Sequence, residues 1–235
     1  MKYTSRNPDN TLFRTPLSLA YVRCAVSELK STRMIVVTAL LAATCALVDL
    51  FFLPVGGAFL RIYFSFLIAS LLCATVGPAL ALPAGILVDM LSFFLAGGDP
   101  VGYFPGYALS SMLTFLLYAL FLYRANLSLT RIFAARLAVN VLINVILGSV
   151  WKHILYGNAY IVYFVSGAIK NIALLPVEAA LMLMLFRRLI PVLQRVKLIP
   201  DSVTVTVRRR DYVFSAIAGV IGIAVLILYY RYKNG

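Results

Sequence analysis

The sequence predicts an all-α polytopic membrane protein: six closely spaced helices followed by one additional C-terminal transmembrane helix. Three observations carry this. Hydrophobic residues make up 63% of the 235-residue chain and charged residues only 12%, with mean hydropathy +0.96, far from the balance of a soluble domain. The apolar residues fall in continuous runs near 34–53, 59–76, 78–96, 105–123, 134–155, 162–186 and 212–230, close to the length needed to cross about 30 Å of hydrocarbon. The runs lack the alternation of barrel strands, so helices, which satisfy their own backbone, are the expected spanning form.

Residues 1–32 read as a basic leader, without the short apolar core and small-residue cleavage site of a signal peptide, and with room for an amphipathic interfacial piece around 12–29. Residues 33–190 hold the six spans. Residues 191–211 read as a polar, basic linker and 212–235 as the extra helix with its short tail. The net charge of +13 is laid out along this plan rather than gathered for nucleic acid. Six Lys and Arg precede span one. Arg124, Arg131 and Arg136 lie between spans four and five, and Arg187, Arg188, Arg195, Lys197, Arg208, Arg209 and Arg210 follow span six. By the positive-inside rule the N-terminus and the loops after spans two, four and six are expected to be cytoplasmic. The remaining loops, "FFLPVGGAFLRIY", "AGGDPVGYFPGY" and "YGNAYIVY", are rich in Gly, Pro and aromatics, and include Arg61, Tyr103, Phe104 and Tyr156. Such aromatics serve either as an interfacial belt or as stacking surfaces for a flat ligand. Cys24, Cys45 and Cys73 are odd in number and mostly within spans, so no disulfide framework is expected.

Span five, "RLAVNVLINVILGSVWKHILYG", carries two Asn, a Gly, the only Trp and the only His. On an α-helix with Asn140 at zero, Trp151 falls at about 20°, Asn144 at about 40° and Gly148 at about 80°, one stripe from which His153 points away. Amides facing lipid leave donors and acceptors unsatisfied, so the stripe should face other helices or a ligand cavity. Both readings stay open: Asn140 and Asn144 tie helices together with Gly148 permitting close approach, or they read a ligand beside Trp151. In span six, Lys170 and Asn171 lie in the expected outer third of the bilayer, where a charge is costly and a functional candidate by default. Glu178 is two turns below Lys170, with Pro176 between them. Asp89 is mid-span and needs a polar partner.

No carboxylate pair at catalytic spacing, assembled Ser-His-Asp set, Cys/His metal spacing or phosphate loop is present, so neither an enzyme nor a metal or cofactor is expected. ATP, if used, is consumed by another chain.

Over roughly residues 33–190 the chain resembles the membrane-embedded S components of energy-coupling factor (ECF) vitamin importers, most closely the folate-specific ones. The resemblance rests on "TALLAATCAL", "VGPALALPAGILVDML", "GYFPGYALSSML", "NVILGSVWKHILYG" and "IKNIALLPVE". It implies a six-helix vitamin-binding protein of the bacterial plasma membrane that captures a folate from outside. Delivery inward then proceeds by docking on a transmembrane coupling subunit, with ATP hydrolysed by two partner ATPase subunits. The docking motif, Ala-x-x-x-Ala, is met by Ala39 and Ala43, with Ala42 and Ala46 one face over. Folate suits the outer half: Asn140, Asn144 and Trp151 are expected at the flat pterin, with Asn171, Gly148, Tyr103, Phe104 and Tyr156 as further expected substrate-binding residues. Lys170, Arg61 and Lys152 are expected at the glutamate carboxylates. Two departures stand out: Gly167 where the family often has Arg, and Leu67 where it often has Pro. An S component for another vitamin, a stand-alone secondary transporter and a membrane scaffold are the alternatives.

Overall fold

The computed structural model describes residues 12, 18–54, 61–98, 102–157, 159–206, 217, 219, 220 and 224. The expected seventh span (212–230) therefore lies outside the described residues, apart from isolated positions.

Helix α1 (Leu19–Glu28) is capped by Ser18, whose Oγ accepts from the Tyr21 amide at 3.3 Å. Ser31 caps α2 (Thr32–Asp49) in the same way. A short antiparallel pair, β1 (Phe52–Pro54) and β2 (Arg61–Tyr63), with Phe52 opposite Tyr63, leads into α3 (Ser65–Thr75). Pro78 and Pro105 occupy first-turn positions of α4 (Pro78–Leu95) and α5 (Pro105–Leu122), where a missing N–H costs nothing. The fifth span is composite: α6 (Leu129–Ala138), a π-helical stretch (Val139–Leu147) and α7 (Gly148–Tyr156), ended by Gly157 in the left-handed conformation, φ 70°. The last long element is α8 (Tyr160–Arg195), 36 residues with Pro176 and Pro191 inside it.

Five of these segments are long and apolar enough to span a membrane: α2, α4, α5, the composite 129–156, and α8. The sixth differs from expectation. A helix over 59–76 was predicted, but residues 61–63 are in β2, and α3 has 11 residues, roughly 16 Å of rise. It suffices because α3 is an interior helix: Phe66, Ala69, Ser70, Leu71, Leu72, Cys73, Ala74 and Thr75 are all buried. The core around it draws on α2, α4, α5, α6 and α8. Gly85 lets α4 lie directly on α5, since a Cβ there would sit 2.9 Å from the Met112 Cα and the Ser111 carbonyl oxygen.

Two segments expected to lie apart from the six-span domain are docked on it. Helix α1 buries Tyr21, Ala25 and Glu28. The Tyr21 hydroxyl donates to the Ala119 carbonyl of α5 at 3.0 Å, and the Gly77 amide, at the start of α4, donates to Glu28 Oε2 at 2.8 Å. The Tyr123 hydroxyl donates to the other Glu28 oxygen, with Arg124 at 3.8 Å. Gly77 makes this contact sterically feasible: a Cβ there would lie 2.7 Å from that of Ala25. Burial raises the Glu28 carboxyl above the ordinary glutamate range, against the lowering effects of Tyr123, Gly77 and Arg124. The predicted linker also packs back. Ile199 and Val203 are buried, Gln194 Nε2 donates to the Pro200 and Val203 carbonyls, and β4 (Val205–Thr206) runs parallel to β3 (Leu127–Ser128).

On α2 the two alanine registers separate. Ala42 and Ala46 are 0% exposed, consumed by packing inside the bundle. This corrects their assignment as docking residues. Ala39 and Ala43 are exposed, on a face shared with Val36, Leu40 and Leu47.

Candidate ligand-binding site

The site grows from the π-helical stretch. Replacing i→i+4 by i→i+5 bonding widens the turn, and such segments are common at functional sites. It also changes which residues share a face, so the stripe drawn at 100° per residue does not persist through it. Asn140 is buried against α8, its Nδ2 donating to Glu178 Oε2 at 2.9 Å and to the Asn171 carbonyl at 3.3 Å. Asn144 Nδ2 donates to Asn140 Oδ1 at 2.9 Å and to Asn171 Oδ1 at 3.3 Å. Asn171 Nδ2 donates to the Gly167 carbonyl at 2.8 Å. Three predicted residues, Asn140, Asn144 and Asn171, thus form one amide cluster between the π segment and α8. The innermost is buried, and Asn144 is exposed.

Beneath the amides sits a group that the sequence reading misplaced. Arg136, counted there among loop charges that set topology, is 6% exposed inside α6. Its Nε and Nη2 donate to the two Glu178 oxygens at 2.8 and 2.6 Å, and its Nη1 donates to the Tyr118 hydroxyl at 2.6 Å. Its guanidinium lies 4.3 Å from the Phe66 ring centroid. One arginine therefore ties α6 to α3, α5 and α8. Glu178, two turns from Lys170 on the same helix, has Arg136 of α6 as an ion-pair partner. The signal was present: Arg136, Asn140 and Asn144 recur every four residues, as neighbours on one helical face do.

Trp151 leaves the amides and turns to α5. Its indole Nε1 donates to Ser110 Oγ at 2.8 Å, and its ring meets Phe104 edge-on at 5.5 Å. Phe104 also packs on Tyr107 at 5.6 Å. Predicted Trp151 and Phe104 thus form an aromatic corner with Ser110, which nothing in the sequence singled out. Tyr103 donates its hydroxyl to Asp89 Oδ2 at 3.1 Å and packs on Phe93, giving Asp89 the polar partner its position required. Gly148 stands where the π stretch returns to α-helix. Among the described residues only the Ile143 carbonyl oxygen, at 3.4 Å, would meet a Cβ there, so it serves no close helix approach. Lys170 is half-buried beside Asn171 and near enough to Lys152 to feel its charge, so two cations share this end of the bundle. Tyr156 is 51% exposed at the end of α7, and His153 is exposed on the same helix. Arg61 lies in β2, and its side chain is outside the described residues.

Among the described residues, a helical membrane bundle with an amide cluster, an aromatic corner and two cations has the build of a membrane-embedded small-molecule carrier. No family model matches the chain. A curated relative, the folate transporter FolT of Clostridium novyi (strain NT), is 32% identical over 129 residues, 54% of this chain and 73% of the relative. A solved structure, the crystal structure of FolT bound with folic acid, superposes with a TM-score of 0.59 at 29% identity, covering 67% of this chain and 93% of that one. The chain belongs to the FolT folate transporters, the folate-specific S components of ECF systems. These relatives are transporters, not enzymes.

Proposed function

We propose that the chain is the substrate-capture subunit of an ECF-type importer, binding folate at the outer half of the bundle and releasing it inward. The observation that supports this most is the likeness, at 29% identity, to a FolT structure bound with folic acid, joined to the amide cluster described above. Asn144 and Asn171 meet the pterin edge, and Trp151 and Phe104 supply the aromatic wall. Tyr103, Tyr156 and Gly148 line the approach, and Lys170, with Lys152 and Arg61, receives the glutamate carboxylates. The exposed Ala39 and Ala43 face of α2 docks on the coupling subunit, small residues permitting close helix approach. ATP is hydrolysed by the two ATPase subunits of the complex, and the chain itself carries no cofactor. The protein resides in the bacterial plasma membrane with its N-terminus in the cytoplasm, as the basic residues direct.

Isothermal titration of the purified protein with folic acid, in the absence of any ATPase, tests the reading. Tight binding that falls about fivefold or more for Lys170→Ala and Asn144→Ala is expected, since each removes a charged or oriented hydrogen bond of about 1–3 kcal/mol. Undiminished affinity in both variants removes the site assignment, and no binding in the parent removes the function.

A further inference from the structure

The orientation of each amide in the cluster is dictated by groups that can only accept. Both Glu178 oxygens already accept from Arg136, so the carboxylate holds no proton and receives the Asn140 Nδ2. The second partner of that nitrogen is the Asn171 backbone carbonyl. Asn140 must therefore direct its Oδ1 toward Asn144. Asn171 is fixed independently, because its Nδ2 meets the Gly167 carbonyl, which leaves its Oδ1 facing Asn144 as well. Asn144 thus confronts two acceptors at 2.9 and 3.3 Å and can satisfy both only with its NH₂. Its Oδ1, at the other edge of the planar amide from the Nδ2 hydrogen bonds, is directed away from those two acceptors, and the residue is exposed. A bare carbonyl within the spans is costly against hydrocarbon, so its place is at a polar cavity or ligand.

We infer that the cluster is locked with its donors inward, so that Asn144 offers the ligand an acceptor and the site selects a ring edge bearing N–H donors. Asn140, Asn171 and Glu178 are positioning residues for that acceptor. This deepens the folate reading and rests on it, because it assigns the pterin's amino and ring N–H edge, rather than its oxo group, to Asn144. The orientation is held twice over, from Glu178 below and from the Gly167 carbonyl beside it, so ligand binding does not rotate it.

The test is a cycle of three ligands on two proteins, read by isothermal titration. The ligands are folic acid, its analogue lacking the exocyclic amino group, and its analogue in which the oxo group is replaced by amino, so that the adjacent ring nitrogen carries no hydrogen. In the parent, the analogue lacking the exocyclic amino group, which keeps the oxo group, is expected to bind about tenfold or more weakly than folic acid, the loss that follows from an orphaned acceptor. In Asn144→Ala that preference should shrink to within about threefold; the variant melts lower, because the buried Asn140 and Asn171 oxygens lose their donor, and an unchanged far-UV circular dichroism spectrum shows that it is folded. Preferences that survive intact in Asn144→Ala overturn the inference while leaving folate binding standing. A parent that binds none of the three removes the function reading itself.

Discussion

The sharpest energetic prediction concerns Arg136. If it were a loop charge, Arg136→Leu would shift stability by no more than about 0.5 kcal/mol, as surface substitutions do. The structure instead gives it both Glu178 oxygens, the Tyr118 hydroxyl and the Phe66 ring, with 6% of its surface exposed. Removing it strands the Glu178 carboxylate, itself 6% exposed, with Asn140 as its remaining hydrogen-bond donor. Removing one partner of a buried pair costs about 3–5 kcal/mol. At about 2–4 °C per kcal/mol for a chain of this size, that is a fall of about 6–20 °C in Tm. The double variant Arg136→Leu/Glu178→Leu removes both charges and orphans only the Tyr118 hydroxyl and part of the Asn140 amide, about 1–2 kcal/mol. It should therefore melt well above the single variant. Thermal unfolding of detergent-purified protein, followed by far-UV circular dichroism, reads all three. A single variant within 2–4 °C of the parent, about 1 kcal/mol, refutes the buried-pair account, as does a double variant that melts below the single.

The α2 registers make a paired prediction. Ala42→Leu, at a site with 0% exposure, should lower Tm as an overpacked core residue does, by about 1–3 kcal/mol, whereas Ala39→Leu and Ala43→Leu should leave Tm and folate affinity unchanged yet abolish folate uptake in cells supplying the coupling subunits. Docking of α1 should depend on pH through Glu28. Its carboxyl is raised in the folded protein, so it binds its proton more tightly there than in the undocked chain, and its contribution, full below the ordinary glutamate value, is lost as pH rises through the raised one. Amide exchange in α1 should accelerate beyond its intrinsic rise as pH climbs from the ordinary glutamate range through the raised value, and Glu28→Gln should flatten that excess; an identical excess in the variant would assign the dependence to another group.

Much of the fold was legible because hydrocarbon imposes a length and a polarity that a single sequence displays. The apolar runs located α2, α4, α5, the composite fifth span and α8, and Pro78 and Pro105 marked two of the starts. The runs could not reveal which helix would be interior. An interior helix is released from the span-length requirement, so α3 has 11 residues and yields residues 61–63 to a strand. Nor does hydropathy register docking by a few anchors. Helix α1 is held by Tyr21, Ala25 and Glu28 across a gap that only a glycine at 77 leaves open, and 196–206 is held by Ile199, Val203 and Gln194.

The site was legible in its residue types and illegible in its geometry, for one physical reason. A polar residue in an apolar span announces that it has a partner, but not which one. Asn140, Asn144 and Asn171 announced themselves and do meet, whereas Trp151, placed on their face by α-helical periodicity, lies across from Ser110 because the intervening stretch is π-helical. Arg136 misled for the opposite reason. Cations near span ends are usually topology signals, and nothing in its immediate neighbours distinguishes it from Arg131. Only its four-residue spacing to Asn140, together with Glu178 one helix away, makes it part of a chain of hydrogen bonds. That chain runs from the Tyr118 hydroxyl through Arg136 and Glu178 to the amides. Each charge in it is cancelled by a neighbour, and what reaches the outward end is one neutral acceptor of fixed direction. On the proposed reading, a site built this way discriminates by the polarity of a ligand's edge rather than by its charge, and charge recognition is assigned to Lys170 and Lys152.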